Sequence, residues 1–99
     1  MEHAARNAIG ANLRRIRTAK EFSQERLAIA CSLLGYELPR GTIAKIESGI
    51  RGASDVETFV LSHALKIPIA ELFPAGLLKR LRDGKIAPFH VRGAKERET

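Results

Sequence analysis

A chain of 99 residues fills one modest hydrophobic core and leaves no room for a separate catalytic or sensing domain of ordinary size. With 44% hydrophobic and 28% charged residues it has enough apolar material to pack, which excludes global disorder despite a formal charge of +6. That basic balance makes a polyanion the natural partner, because lysine and arginine that neutralise phosphates release counterions, although solvated basic faces are common too. Cys31 is the single cysteine, so neither an intrachain disulfide nor a cysteine zinc cluster is expected, and a reducing cytoplasm is the simplest compartment. His3, His63 and His90 lie far apart without metal-ligand spacing, so no metal and no cofactor are expected. The first ten residues, MEHAARNAIG, lack a basic stretch followed by an apolar run, and no segment has the length of a membrane span.

Along the chain, Ala5, Ile9, Leu13 and Ile16 recur at spacings of four, four and three, which predicts an amphipathic helix over residues 4–20. Ser23 can cap a second helix from Gln24 to about Leu34, with Leu27, Cys31 and Leu34 as its apolar stripe and Gly35 as its stop. After the connector 36–38, Pro39 fixes the backbone for a third helix over 40–48, whose Ile43 and Ile46 face the core and whose stop is Gly49. Gly52 and Ser54 read as a turn and cap before a fourth helix, 55–65, apolar through Val56, Val60, Leu61, Ala64 and Leu65. Pro68 begins a short helix, 69–73, with Ile69, Leu72 and Phe73 inward, and another helix follows over 75–82. From Gly84 the chain turns basic and irregular and reads as a frayed tail. No strand-like alternation persists, so the class is all-α.

Between Arg17 and Phe73 the order of signals is that of a helix-turn-helix: capped helix, glycine, turn, short helix with a basic N-terminal end, glycine. The second helix of such a pair enters the major groove with its N-terminal turn toward base edges, so its outward face must be polar or small. Arg40, Gly41, Ala44 and Lys45 meet that requirement.

The segments LRRIRTAKEFSQERLA, LPRGTIAKIESGIR and SHALKIPIAELF, in that order, resemble the Cro/cI-type (XRE-family) helix-turn-helix of phage repressors and related bacterial regulators over about two thirds of the chain. The resemblance implies a compact five-helix lambda-repressor-like domain over residues 4–74, with a C-terminal extension over 75–99. It implies that Arg40, Gly41, Ala44 and Lys45 face bases and that Gln24 touches a phosphate. Ser23, Thr42 and Arg51 join Gln24 as candidate backbone contacts, and Arg17 and Glu47 match a family ion pair that bridges the first and recognition helices. Three departures stand out: a longer stretch between Leu27-Ala28 and the recognition helix, similar to a variant pattern LxGYxLPRGTIAKIE; Pro39 where Ser or Thr often caps; and Thr58 where leucine is usual.

These features predict a cytoplasmic transcriptional regulator, a repressor by resemblance, that binds double-stranded DNA as a homodimer. The competing reading is an antitoxin-like module with a protein partner and autoregulatory DNA binding; a third is an RNA- or ribosome-associated module. No Ser-His-Asp or Cys-His spacing appears, and Asp55 and Glu57 sit at a helix start where the dipole accounts for them, so no enzymatic activity is expected. Leu77, Leu78, Leu81, Ile86 and Phe89 are too apolar for a solvated tail, and Phe59 and Val60 exceed one core stripe. The extension is therefore expected either to fold back on the fourth helix or, preferentially, to pack on a second subunit.

Overall fold

The computed structural model describes residues 7–84, and every regular element among them is helical. Helix α1, Gly10–Ala19, begins later than periodicity predicts because Asn7 ties down the preceding chain. Its side-chain oxygen accepts from the Gly10 amide, and its side-chain amide donates to the Ile46 and Arg51 carbonyls. Gly10 then lies so close to the third helix that a Cβ would collide with the Ile46 carbonyl oxygen. Ile9, Leu13 and Ile16, one helical face, are buried.

Helix α2, Gln24–Leu33, starts as its cap dictates, with Ser23 Oγ accepting from the Arg26 amide at 2.9 Å. Leu27 and Cys31 are fully buried, but Leu34 is 54% exposed and leaves the expected stripe. The physical reason is the helix stop: Leu34 is the last residue before Gly35, which takes φ +95°, and the chain then supplies Leu38 to the core instead.

Helix α3, Arg40–Ser48, follows Pro39, which offers no side-chain cap; the Pro39 carbonyl accepts from the Thr42 and Ile43 amides. Gly49 ends it at φ +87°. Helix α4, Asp55–Leu65, has a complete capping box, in which Ser54 Oγ accepts from the Glu57 amide and Glu57 accepts from the Ser54 amide. Thr58 is buried and satisfies its hydroxyl on the Ser54 carbonyl at 2.8 Å. Val56 is 51% exposed, so it does not belong to the core with Val60, Leu61, Ala64 and Leu65.

The next element, Ile69–Leu72, is a single 3₁₀ turn. One tight turn presents one side chain to the core, Leu72, whereas Ile69 and Phe73 are exposed, contrary to the sequence expectation. Phe73 is extended and leaves the turn at once. Helix α5, Leu77–Arg82, starts two residues later than expected because Gly76 is left-handed, and it buries no residue. Its Leu78 is exposed. Ala4, Ala5, Ile86, Phe89 and the basic tail lie outside the described residues.

Helix α3 packs on both α1 and α2, α2 also packs on α4, and the 3₁₀ turn closes against α4 and α1. The core sits among these elements, from Ile9 to Leu72. No helix among the described residues is long and apolar enough to cross a membrane.

Candidate nucleic-acid interface

Helices α2 and α3 are joined by a connector that is itself anchored. Leu38 is buried, Tyr36 packs against the core, and Ser32 Oγ meets Glu37 Oε2 at 2.9 Å across the bend. The longer connector therefore has a fixed path.

At about 100° per residue, α3 divides into two faces. The inner one carries Ile43, Ile46 and Glu47, all buried. The outer one carries Arg40, Gly41, Lys45 and Ser48, which are exposed, and Ala44, which is half-buried; Thr42 sits at the border and is also half-buried. Gly41 is informative because a Cβ added there would meet nothing within 4 Å. A glycine in a helix interior costs about 0.5–1 kcal/mol relative to alanine, and Gly41, the second residue of α3, still offers no side chain to pack. Neither packing nor a positive φ in this chain accounts for it.

Glu47 fixes how that outer face is presented. Its carboxylate accepts from Arg17 Nε at 2.6 Å and Nη2 at 3.0 Å, and from Gln24 Nε2 at 3.0 Å. Arg17 Nη1 donates to the Phe22 carbonyl at 2.6 Å. One carboxylate thus joins α1, the start of α2 and α3, with the Arg17 and Glu47 side chains only 12% and 3% exposed. Its hydrogen bond to Glu47 raises the Arg17 pKa above the usual arginine value, against the opposing effect of burial.

The N-terminal ends of α2 and α3 open onto one shallow concavity lined by Arg17, Ser23, Gln24, Glu25 and Arg40. Free amides at two helix starts favour negative charge in such a place. Glu25 acts against it: its carboxylate is 3.8 Å from Arg40 Nε, with both side chains more than 60% exposed, so water screens the pair. This acidic neighbour was not among the residues singled out from sequence, where it reads as an ordinary first-turn carboxylate.

The remaining sequence-predicted residues fall into two groups. Ser23 and Gln24 lie beside Arg40 around the concavity, although the Ser23 hydroxyl is engaged as a cap and the Gln24 amide by Glu47. Arg51 is already employed within the fold. Its guanidinium grips Glu57 with two bonds of 2.8 Å and donates to the Gly52 carbonyl, bracing the turn between α3 and α4. This pairing holds the Glu57 carboxyl below the usual carboxylate range, with the hydrogen bond from the Ser54 backbone N–H adding to the effect. The Ser54-x-x-Glu57 spacing was the available sequence signal for that carboxylate.

No family model, curated protein or solved structure matches this chain.

Proposed function

We propose that this chain is a Cro/cI-type helix-turn-helix regulator, a cytoplasmic transcriptional repressor that binds operator DNA sequence-specifically as a homodimer. The observation that carries the reading is the outward face of α3. It combines two cations, Arg40 and Lys45, with a first-turn glycine and an alanine on an element whose opposite face is locked into the core. Small residues let a helix backbone approach a groove, and cations beside them reach base edges; arginine and lysine pair with guanine O6 and N7. In this reading Arg40 and Lys45 read bases, Gly41 and Ala44 allow close approach, and Gln24, Ser23 and Thr42 line the backbone. Arg51 contributes charge while it braces the turn. A homodimer follows because one such helix covers only a few base pairs, and two half-sites about 34 Å apart supply the missing affinity.

The antitoxin-like reading keeps one specific support. Ile29 and Leu33 on α2 and Leu34 at its C-cap are each more than half exposed, and exposed apolar side chains of that kind suit a protein partner. Selection of bound sequences from a random duplex pool tests the operator reading, and co-purification of a second polypeptide would favour the antitoxin-like one. A single enriched half-site, present twice in inverted orientation, is the expected result. Bound duplexes without any enriched sequence would defeat the operator reading.

A further inference from the structure

Helix α4 has a second face that the core does not use. Asp55, Val56, Phe59 and His63 are all exposed and fall within about 100° of arc when the helix is unrolled at 100° per residue, and Lys66, exposed too, is the left-handed C-cap that ends the helix just beyond them. The buried residues of α4, from Glu57 to Leu65, occupy the opposite side. The middle of the stripe is apolar and aromatic: Val56 is 51% exposed, Phe59 55%, and the His63 ring stands 4.5 Å from that of Phe59. Its ends are charged with opposite sign, Asp55 in the first turn and Lys66 at the C-cap. Neither Asp55 nor Lys66 makes an ion pair among the described residues.

We propose that this stripe is a self-association surface on which α4 of a second copy of the chain packs antiparallel across a two-fold axis. The charge order selects both the occupant and its direction. An antiparallel copy lays Asp55 against Lys66 of the partner subunit at one end and repeats the contact at the other, whereas a parallel copy would set like charges side by side. Antiparallel packing also opposes the two helix dipoles, and it brings Phe59 and His63 of one subunit over the same pair of the other. The contact is one helix wide, which is small for a stable dimer, so the association is weak and forms fully only when a second interaction holds the copies together. The proposal identifies the surface for the homodimer proposed above, and its test involves no DNA, so the two fail separately.

The experiment is sedimentation equilibrium on the full chain over a wide concentration range, with far-UV circular dichroism to establish that each variant is folded. The wild type is expected to show a monomer–dimer equilibrium that weakens with salt. Phe59→Glu should weaken it by about tenfold or more, since a central apolar contact becomes a buried charge. Asp55→Lys and Lys66→Asp should each weaken it by about fivefold, and the double exchange should restore it, because the opposite signs then meet again. A wild type that stays monomeric up to ~1 mM overturns the proposal, being weaker than any useful association. A dimer indifferent to Phe59→Glu overturns it equally, and a double exchange that fails to recover contradicts the antiparallel arrangement.

Discussion

Replacing Glu47 by alanine tests the joint on which the presentation of α3 depends. The substitution removes the acceptor of three hydrogen bonds, two from Arg17 and one from Gln24. Gln24 is half-exposed and can turn to water, so its loss costs little. Arg17 cannot, because its side chain is only 12% exposed. Breaking a buried ion pair costs about 3–5 kcal/mol when one charge is left without its partner. Arg17 keeps its bond to the Phe22 carbonyl, which places the expected loss near the lower end, about 3 kcal/mol. For a domain of this size each kcal/mol lowers Tm by about 4–8 °C, so a fall of about 12–24 °C is expected in thermal unfolding. Arg17→Met combined with Glu47→Leu should recover most of it, since apolar replacement of both partners removes the uncompensated charge. A Glu47→Ala loss under about 1 kcal/mol in urea titration, or a double variant no better than the single, would refute the reasoning.

Gly10→Ala should destabilise although alanine favours helices by up to about 1 kcal/mol, because the new Cβ meets the Ile46 carbonyl and overpacking costs about 1–3 kcal/mol; a raised Tm would contradict the close approach. Glu57 supplies a pH dependence. Its folded pKa lies below the unfolded value of about 4.3, so its stabilisation is present above that pH and disappears as pH falls through the lower, folded value. Urea midpoints should therefore decline below about pH 4 and decline less steeply in Glu57→Gln. Cys31 is buried and its thiol pKa is pushed up to about 11 by burial, so a thiol reagent at neutral pH should react only as fast as the protein opens. Immediate labelling would place it at the surface.

The bodies of the four longer helices were legible because apolar spacing, a serine or proline at each later start, and a glycine stop after α2 and α3 pointed to the same elements. Where side chains were misplaced, the helix end was responsible. Leu34, Ile69 and Phe73 continue an apolar pattern, but a left-handed Gly35 and a single 3₁₀ turn aim them away from the core. The start of α1 was hidden for another reason: Asn7 bonds to the Ile46 and Arg51 carbonyls, partners that are remote in sequence and leave no periodic trace. At the site, the outward face of α3 could be read directly from its residues. The Arg17–Glu47 pair came from family resemblance, since nothing local joins the two positions. Arg51 looked like a cation free to reach a phosphate because its partner Glu57 already had a sufficient reading as a carboxylate at a helix start.

The measurement that reaches the central claim is fluorescence anisotropy with the duplex enriched by selection and a scrambled duplex of equal length, across a range of salt. The wild type is expected to bind the enriched duplex at least ~10³-fold more tightly. Arg40→Ala and Lys45→Ala should each lose ~1–3 kcal/mol of that discrimination at particular base pairs, while Gln24→Ala weakens both duplexes alike. Equal affinity for the two duplexes, or uniform losses in all three variants, would contradict sequence reading by α3.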